Sequence, residues 1–544
     1  MKVNKTKYCL LLIAFLLCAT AHASDIKIKI TKAYLNIPVG KQARMKLIKI
    51  YSGNKERREF PVQLAEQKVD YWIFIDVTEF KGQTITLSGY ASTETLKRIY
   101  QADKIAGADS LYKESNRPQF HFTVKRGWSN DINGPIYYNG TYHLFWQAFP
   151  FGNSWYTAYM YWGHATSKDM LHWTETSPVL MLDSLGSPWS GTAVIDKNND
   201  GGWGKDALVL YYTAFDPVSG GKQVQCIAYS TDGGKTFKRY KGNPVIDSND
   251  EMHSNDTRDP KVFYYEPAKT WVMVLFERDG LSFYNSKDMK KWTKQSHFDG
   301  LYECPDFFEM AVDENPANKK WVLHGGSSEY FVGTFDGKTF HAETPRQNYA
   351  QGANNILYAA ESFQNMPDDR HVQIAWGRVE HPGMPFNQMM LFPTEFALKT
   401  TKDGLKLYAT PIKEIETLHT TVKGFGNATL REANLLLKDM QPGPLHIKMT
   451  TSTKSGQSVR MFYQGNELAN FTAQDLTNDH NDIEILIDKT VAEIFINNGE
   501  QYIVKRLGTA LNDTGLSFQV DNSQPDNQGP FIKKISVYKM KSVW

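Results

Sequence analysis

Apolar and polar positions alternate along most of the chain. Ile26-Lys27-Ile28-Lys29-Ile30 repeats with period two, and much of Tyr71-Trp72-Ile73-Phe74-Ile75-Asp76-Val77 does the same. Such alternation predicts half-buried antiparallel strands from Asp25 to about Tyr90. The pattern loosens from Ala91 to Lys113, which predicts a linker with one helical turn. From about Pro118 to Lys399, short strands recur between turn signals such as Asn139-Gly140, Asp232-Gly233-Gly234 and Asp336-Gly337. The amphipathic helices that a parallel α/β sheet needs are missing from this stretch. A local motif echoes within it: Ser167-Lys168-Asp169-Met170 with Trp173, Ser230-Thr231-Asp232-Gly233 with Phe237, and Ser286-Lys287-Asp288-Met289 with Trp292. The echoes start at 167, 230 and 286, which are 63 and 56 residues apart. That spacing predicts repeated blades of four strands each, a β-propeller. After Gly404 the texture changes. Leu445–Met449, Ile483–Ile487, Val491–Ile496 and Ile535–Tyr538 read as strands of a separate β-sandwich, with a hairpin turn at Asn497-Asn498-Gly499-Glu500. The predicted fold class is all-β: a propeller followed by a C-terminal β-sandwich, with a small additional N-terminal β domain. The expected limits are 24–112, 113–404 and 405–544.

The first 23 residues are expected to lie outside the fold. Lys2, Lys5 and Lys7 precede an apolar run from Cys9 to Cys18, and the segment closes on Ala21-His22-Ala23. This is the layout of a secretory signal peptide, cleaved after Ala23. Export across the inner membrane, to the periplasm or the cell surface, is the expected localisation. Cleavage removes Cys9 and Cys18 and leaves Cys226 and Cys304, too few for a disulfide framework. No later run is long enough to cross a membrane as a helix.

Composition narrows the function classes. The net charge of +2 gives no support for a nucleic-acid binder driven by phosphate neutralisation. Aromatic residues reach 13%, which suits both an all-β core and platforms for flat sugar faces. Zinc patterns, phosphate-binding glycine loops and G-x-S-x-G elbows do not stand out. What remains are three acidic residues at strand edges. Asp131 lies in Trp128-Ser129-Asn130-Asp131-Ile132-Asn133-Gly134, Asp259 in Arg258-Asp259-Pro260, and Glu303 in Tyr302-Glu303-Cys304-Pro305-Asp306. Each alone is an ordinary turn former or surface acid. Together they suit glycoside cleavage, which needs an acid to protonate the leaving oxygen and a carboxylate facing the oxocarbenium-like carbon. Apolar neighbours are expected to raise the pKa of Glu303, amide donors to keep Asp131 ionised, and Arg258 to hold Asp259 ionised.

The string W-S-N-D-I-N-G-P-I-Y-Y-N-G-T-Y-H-L-F-W-Q-A-F-P from Trp128 to Pro150 resembles the signature of glycoside hydrolase family 32. The resemblance continues through Trp162-Gly163-His164-Ala165, Trp189-Ser190-Gly191-Thr192-Ala193, Arg258-Asp259-Pro260 and Glu303-Cys304-Pro305, and covers roughly Pro118 to the C-terminus. It implies a five-bladed propeller with a C-terminal sandwich, and retaining hydrolysis of β-fructofuranosides. Asp131 is then the nucleophile, Glu303 the general acid and base, and Asp259 the transition-state stabiliser. Asn130, Gln147, Trp155, Ser190, Arg258 and Trp376 fall where the family lines its fructose pocket. Ile132, Pro135 and Phe149 depart from the usual pattern and bear on substrate fit. The stretch from Gly383 to Pro393 resembles levanase-type members of the Bacteroidetes, which often carry an extra N-terminal β domain.

The expected function is an exported, exo-acting β-fructofuranosidase on levan, then inulin, or sucrose. The alternatives are an endo-levanase, a fructosyltransferase on the same fold and a non-catalytic fructan-binding protein. No metal or organic cofactor is expected, because carboxylates fill both catalytic roles. The expected partner is a fructan, with no nucleic acid and no transmembrane segment, on a monomer. Cys304 is expected to be a buried free thiol.

Overall fold

The computed structural model describes residues 24–247, 256–350, 356–452, 457–472, 476, 480–508, 510–513, 515–520 and 530–544. The expected signal segment Met1–Ala23 lies outside the described residues. The chain divides into two compact units. The described part of the first comprises residues 24–111 with 150–153, and the second takes up the rest.

The first unit holds two antiparallel sheets. One runs in the order Ser24–Lys29, Thr84–Gly89, Lys46–Ser52, Lys55–Val62, and the other in the order Tyr71–Asp76, Tyr34–Val39, Tyr100–Ala102. The period-two pattern explains them: Tyr71, Ile73 and Ile75 are buried, while Lys27 and Lys29 face solvent between half-buried Ile26 and Ile28 and buried Ile30. The stretch expected as a linker does contain one helical turn, Thr93–Leu96, N-capped by the Ser92 hydroxyl, which accepts from the Thr95 N–H at 3.1 Å. It also contributes the strand Tyr100–Ala102, which is too short for alternation to register in the sequence.

The second unit is a five-bladed β-propeller followed by a β-sandwich. The innermost strands of the blades are Gly127–Ile132, Ser187–Asp196, Thr257–Tyr265, Asp306–Val312 and Leu357–Ser362. The echoed Ser-x-Asp motif forms the hairpin between the third and fourth strands of blades 1 to 3. The Ser167, Ser230 and Ser286 hydroxyls bond the carboxylates two residues on, at 3.0, 2.7 and 3.1 Å. Apolar clusters fill the spaces between successive blades. Phe145, Trp162, Leu210 and Tyr212 lie between blades 1 and 2, and Tyr211, Val262, Trp271 and Met273 between blades 2 and 3. The strand Gly404–Pro411 crosses the limit expected at 404/405. It pairs with Thr394–Thr401 as the outer strand of blade 5, so the change of texture there marks a hairpin inside the blade.

The sandwich sets a six-stranded sheet against a three-stranded one, with Ile447, Ile485, Ile494, Met461 and Phe518 between them. Val491–Ile496 and Gln501–Arg506 form the hairpin expected around Asn497–Glu500.

Candidate active site

One local device recurs at the same end of the inner strands. In blades 1, 2, 3 and 5 a β-bulge sets two residues of the inner strand opposite one of its neighbour. These are Asn130-Asp131 opposite Gln147, Trp189-Ser190 opposite Thr213, Asp259-Pro260 opposite Leu275, and Ala359-Ala360 opposite Ala375. A bulge bends the strand and re-aims a side chain, which is what carrying a reactive group to the mouth of a propeller requires. Blade 4 gets the same result by a kink before its inner strand. Glu303 and Cys304 both take left-handed backbone, at φ +28° and +44°, and Asp259 does so at +62°. Such conformations cost energy in non-glycine residues and persist only where the surroundings enforce them. Gly134, at φ +55°, shows how tight the packing is: a Cβ there would lie 2.0 Å from the Ala193 nitrogen.

The three acidic residues are brought together. The Ser190 hydroxyl donates to Asp131 Oδ2 at 2.8 Å. Arg258 bridges the other two: Nη2 is 2.7 Å from Glu303 Oε2, and Nε is 3.6 Å from Asp259 Oδ2. The Cys304 N–H donates to Asp259 Oδ2 at 3.1 Å, and the Asp259 N–H donates to Thr213 Oγ1 at 2.9 Å. Asn130 is buried, and its Oδ1 accepts from Trp128 Nε1 at 2.9 Å. Gln147 is buried and donates to the Pro188 carbonyl at 3.1 Å. Trp376 is buried, donates to Gln388 Oε1 at 3.0 Å and meets the Trp128 ring edge-on at 6.3 Å. Trp155 is 57% exposed and has no ring contact or hydrogen bond with these residues among those described. Cys304 is a buried free thiol, as expected, and so is Cys226.

The electrostatics differ from the expectation at Asp131 and Asp259. Glu303 is half-buried and has polar partners. It is clamped by Arg258 and by the Tyr358 hydroxyl, which donates to Oε1, while Tyr302 turns 55% of its surface to solvent. Burial and the nearby Glu303 charge push the Asp131 carboxyl above its usual range, and the Asn130 and Ser190 donors oppose this without reversing it. Burial likewise raises Asp259, with Glu303 and Asp131 adding to the shift and Arg258 opposing it. Asp131 and Asp259 are thus withdrawn from water within reach of other carboxyls, and the opposing Arg378 and Arg258 charges do not offset that.

Tyr358, Arg378 and Gln388 also belong to the group; Tyr358 and Arg378 carry no sequence motif, and Gln388 lies in the stretch from Gly383 to Pro393. Tyr358 follows Leu357 in what reads as an ordinary strand. The one sequence signal for Arg378 is its position two residues after Trp376. A separate trio, Asp279, His297 and Asp299, has the donor types for a cation, but its members already bond one another and Ser282. No helix among the described residues is long and apolar enough to cross a membrane.

Comparison with known proteins agrees with this architecture. Residues 121–411 match the N-terminal domain of glycosyl hydrolases family 32, and residues 445–539 match its C-terminal domain. Residues 21–120 match a domain of unknown function, DUF4980. A levanase of Bacillus subtilis (strain 168) is 35% identical over 516 residues, covering 83% of this chain and 74% of that protein. The extracellular exo-inulinase of Aspergillus awamori is 35% identical over 356 residues, covering 55% of this chain and 65% of that protein. The crystal structure of exo-inulinase from the same fungus superposes with a TM-score of 0.68 at 25% identity, over 80% of this chain and 100% of that one. With matching family domains over the propeller and over most of the sandwich, the chain is a glycoside hydrolase and belongs to glycosyl hydrolases family 32.

Proposed function

We propose that this enzyme is an exported, exo-acting β-fructofuranosidase that hydrolyses fructans, levan before inulin, or sucrose, with retention of configuration. The reading rests on one observation above all: Asp131, Asp259 and Glu303 meet at one end of three inner strands, with Arg258 between Asp259 and Glu303. The activities named for the levanase and exo-inulinase relatives support the substrate class. Asp131 attacks the anomeric carbon of the terminal fructosyl unit while Glu303 gives its proton to the glycosidic oxygen, and the remaining sugar departs. Glu303, now a carboxylate, takes a proton from water as that water attacks the same carbon, releasing fructose and restoring Asp131. Asp259 holds fructose hydroxyls, and Asn130, Gln147, Trp155, Ser190, Arg258 and Trp376 shape the pocket around the ring. The opening basic and apolar segment directs export.

The test is the early product profile of the mature enzyme on levan, inulin and sucrose. Fructose alone from levan is the expected result. A ladder of oligosaccharides would replace exo with endo attack, and a preference for inulin or sucrose would overturn the linkage. Absence of product from all three by a folded protein would overturn the reading. Asp131→Asn is expected to cost about three orders of magnitude or more in kcat without unfolding the protein. Near-normal turnover in that variant would exclude a covalent fructosyl-enzyme.

A further inference from the structure

The two arginines of the pocket are used differently. Arg258 spends its donors inside the protein, on Asp256, Glu303 and the Tyr302 hydroxyl. Arg378 spends none. Among the described residues its guanidinium makes no hydrogen bond and no ion pair, and its Nε is buried without a partner. Unsatisfied buried donors cost free energy, and a guanidinium carries five N–H groups.

Arg378 is nevertheless held in place. Its guanidinium carbon lies 3.7 Å from the centroid of the Tyr358 ring and 4.5 Å from that of Trp376. Cation–π stacking of this kind fixes the plane of the group while leaving its edge free. The backbone is tied on both sides: the Arg378 N–H donates to the Ile356 carbonyl at 2.8 Å, and its carbonyl accepts from Arg506 Nε of the sandwich at 2.8 Å. The charge is near enough to Asp131 to favour that carboxylate's ionised form. A rigid guanidinium with open donors beside the reacting carboxylates is arranged for ligand oxygens.

Its side of the pocket follows from Tyr358. That hydroxyl donates to Glu303, and Glu303 is the group that protonates the leaving oxygen. The cation stacked on Tyr358 therefore lies on the leaving-group side. We propose that Arg378 binds the hydroxyls of the sugar released on cleavage, the unit directly across the scissile bond from the terminal fructose, with Arg506 positioning it. This rests on the β-fructosidase reading above and extends it to the leaving sugar.

The experiment compares kcat and KM on a fructosyl-fructose disaccharide, on sucrose and on an aryl β-fructofuranoside, whose leaving group carries no sugar hydroxyls. Arg378→Met is expected to lower kcat/KM on the two disaccharides at least tenfold more than on the aryl substrate, mainly through KM. Arg378→Lys keeps the charge and loses the fork, and is expected to fall between. Arg506→Met is expected to show the same substrate ratio to a smaller degree. Equal losses on all three substrates would overturn the inference, because a structural or nucleophile-directed role does not distinguish leaving groups. Should Arg378→Met fail to fold, the same ratio read on Arg378→Lys decides. Wild-type turnover is the control: if none of the three substrates is cleaved, the β-fructosidase reading fails and this inference with it, whereas turnover with equal losses overturns the inference alone.

Discussion

At the scale of single residues, the pocket places its carboxyls where each disturbs the next. Burial and the Glu303 charge both raise Asp131. A nucleophile must be ionised, so this shift moves the acid limb of kcat/KM upward from the ordinary carboxylate range. Removing the Glu303 charge removes one of the two causes. Glu303→Gln is therefore expected to move the acid limb to lower pH, measured on an activated aryl fructoside that needs little protonation. The same variant is expected to lose more kcat on sucrose than on that aryl substrate, because it cannot donate the proton. An acid limb that stays put or rises would show that the Glu303 charge does not act on Asp131 where that limb is read.

At the scale of elements, the inner strands carry a second layer of charge just past the bulges. Lys261 lies two residues beyond Asp259, Asp306 three beyond Glu303, and Glu361 three beyond Tyr358. Lys261 Nζ is 2.8 Å from Asp306 and 3.4 Å from Glu361, and Glu361 also accepts the Gly134 N–H at 3.1 Å. The layer thus ties three blades to the loop that follows Asp131. Burial weighs against the charge on Asp306, but Lys261 and His324 outweigh it and hold the carboxyl well below its usual range. Glu361 is pushed up to about 8, by burial first and by Asp306 also, with Lys261 opposing. Lys261→Met strands two buried carboxyls and is expected to cost about 3–5 kcal/mol of stability in denaturant unfolding. Glu361 keeps its proton in the folded chain after the unfolded chain has released its own. Its contribution is therefore present below about pH 4.5 and is lost as the pH rises towards about 8. Glu361→Gln is expected to flatten that slope in thermal melts, and an unchanged slope would assign it to another group.

At the scale of the whole molecule, the propeller and sandwich of the second unit are joined by a buried histidine. His121 Nδ1 is 2.9 Å from Asp488, and Nε2 is 2.6 Å from Glu493. Asp488 also accepts the N–H groups of Gln119, Phe120 and His121 at 2.7, 2.8 and 3.1 Å. The Phe392 N–H and the Tyr502 hydroxyl donate to Glu493. Burial disfavours the imidazolium, but the two carboxylates outweigh it and raise His121 to about 9. A raised histidine stabilises fully below its unfolded pKa of about 6.5, and that stabilisation fades as the pH rises through about 9. Melting temperature is expected to fall across that window in the wild type, and to fall less in His121→Gln. The C-terminus is tied in beside this clasp: the Trp544 ring stacks on Tyr112 at 4.1 Å, and its Nε1 donates to the Pro118 carbonyl at 2.8 Å.

The sequence by itself determined the strands, the blade hairpins and the three acidic candidates. Those features are local: period-two alternation, a Ser-x-Asp turn, and carboxylates set in short polar or proline-bearing motifs. Pairing across the sheets decided the rest. The short strand Tyr100–Ala102 and the membership of Gly404–Pro411 in blade 5 depend on partners that no local pattern names. So do the bulges that turn Asp131, Ser190 and Asp259 towards one point. Tyr358 and Arg378 sit in strand-like sequence, and the contacts that place them include residues distant in the chain: Tyr358 bonds Glu303, and Arg378 stacks on Tyr358. The charge states expected for Asp131 and Asp259 went astray for the same reason. A pKa answers to desolvation and to neighbouring charge in three dimensions, and both are set only once the blades have closed around the pocket.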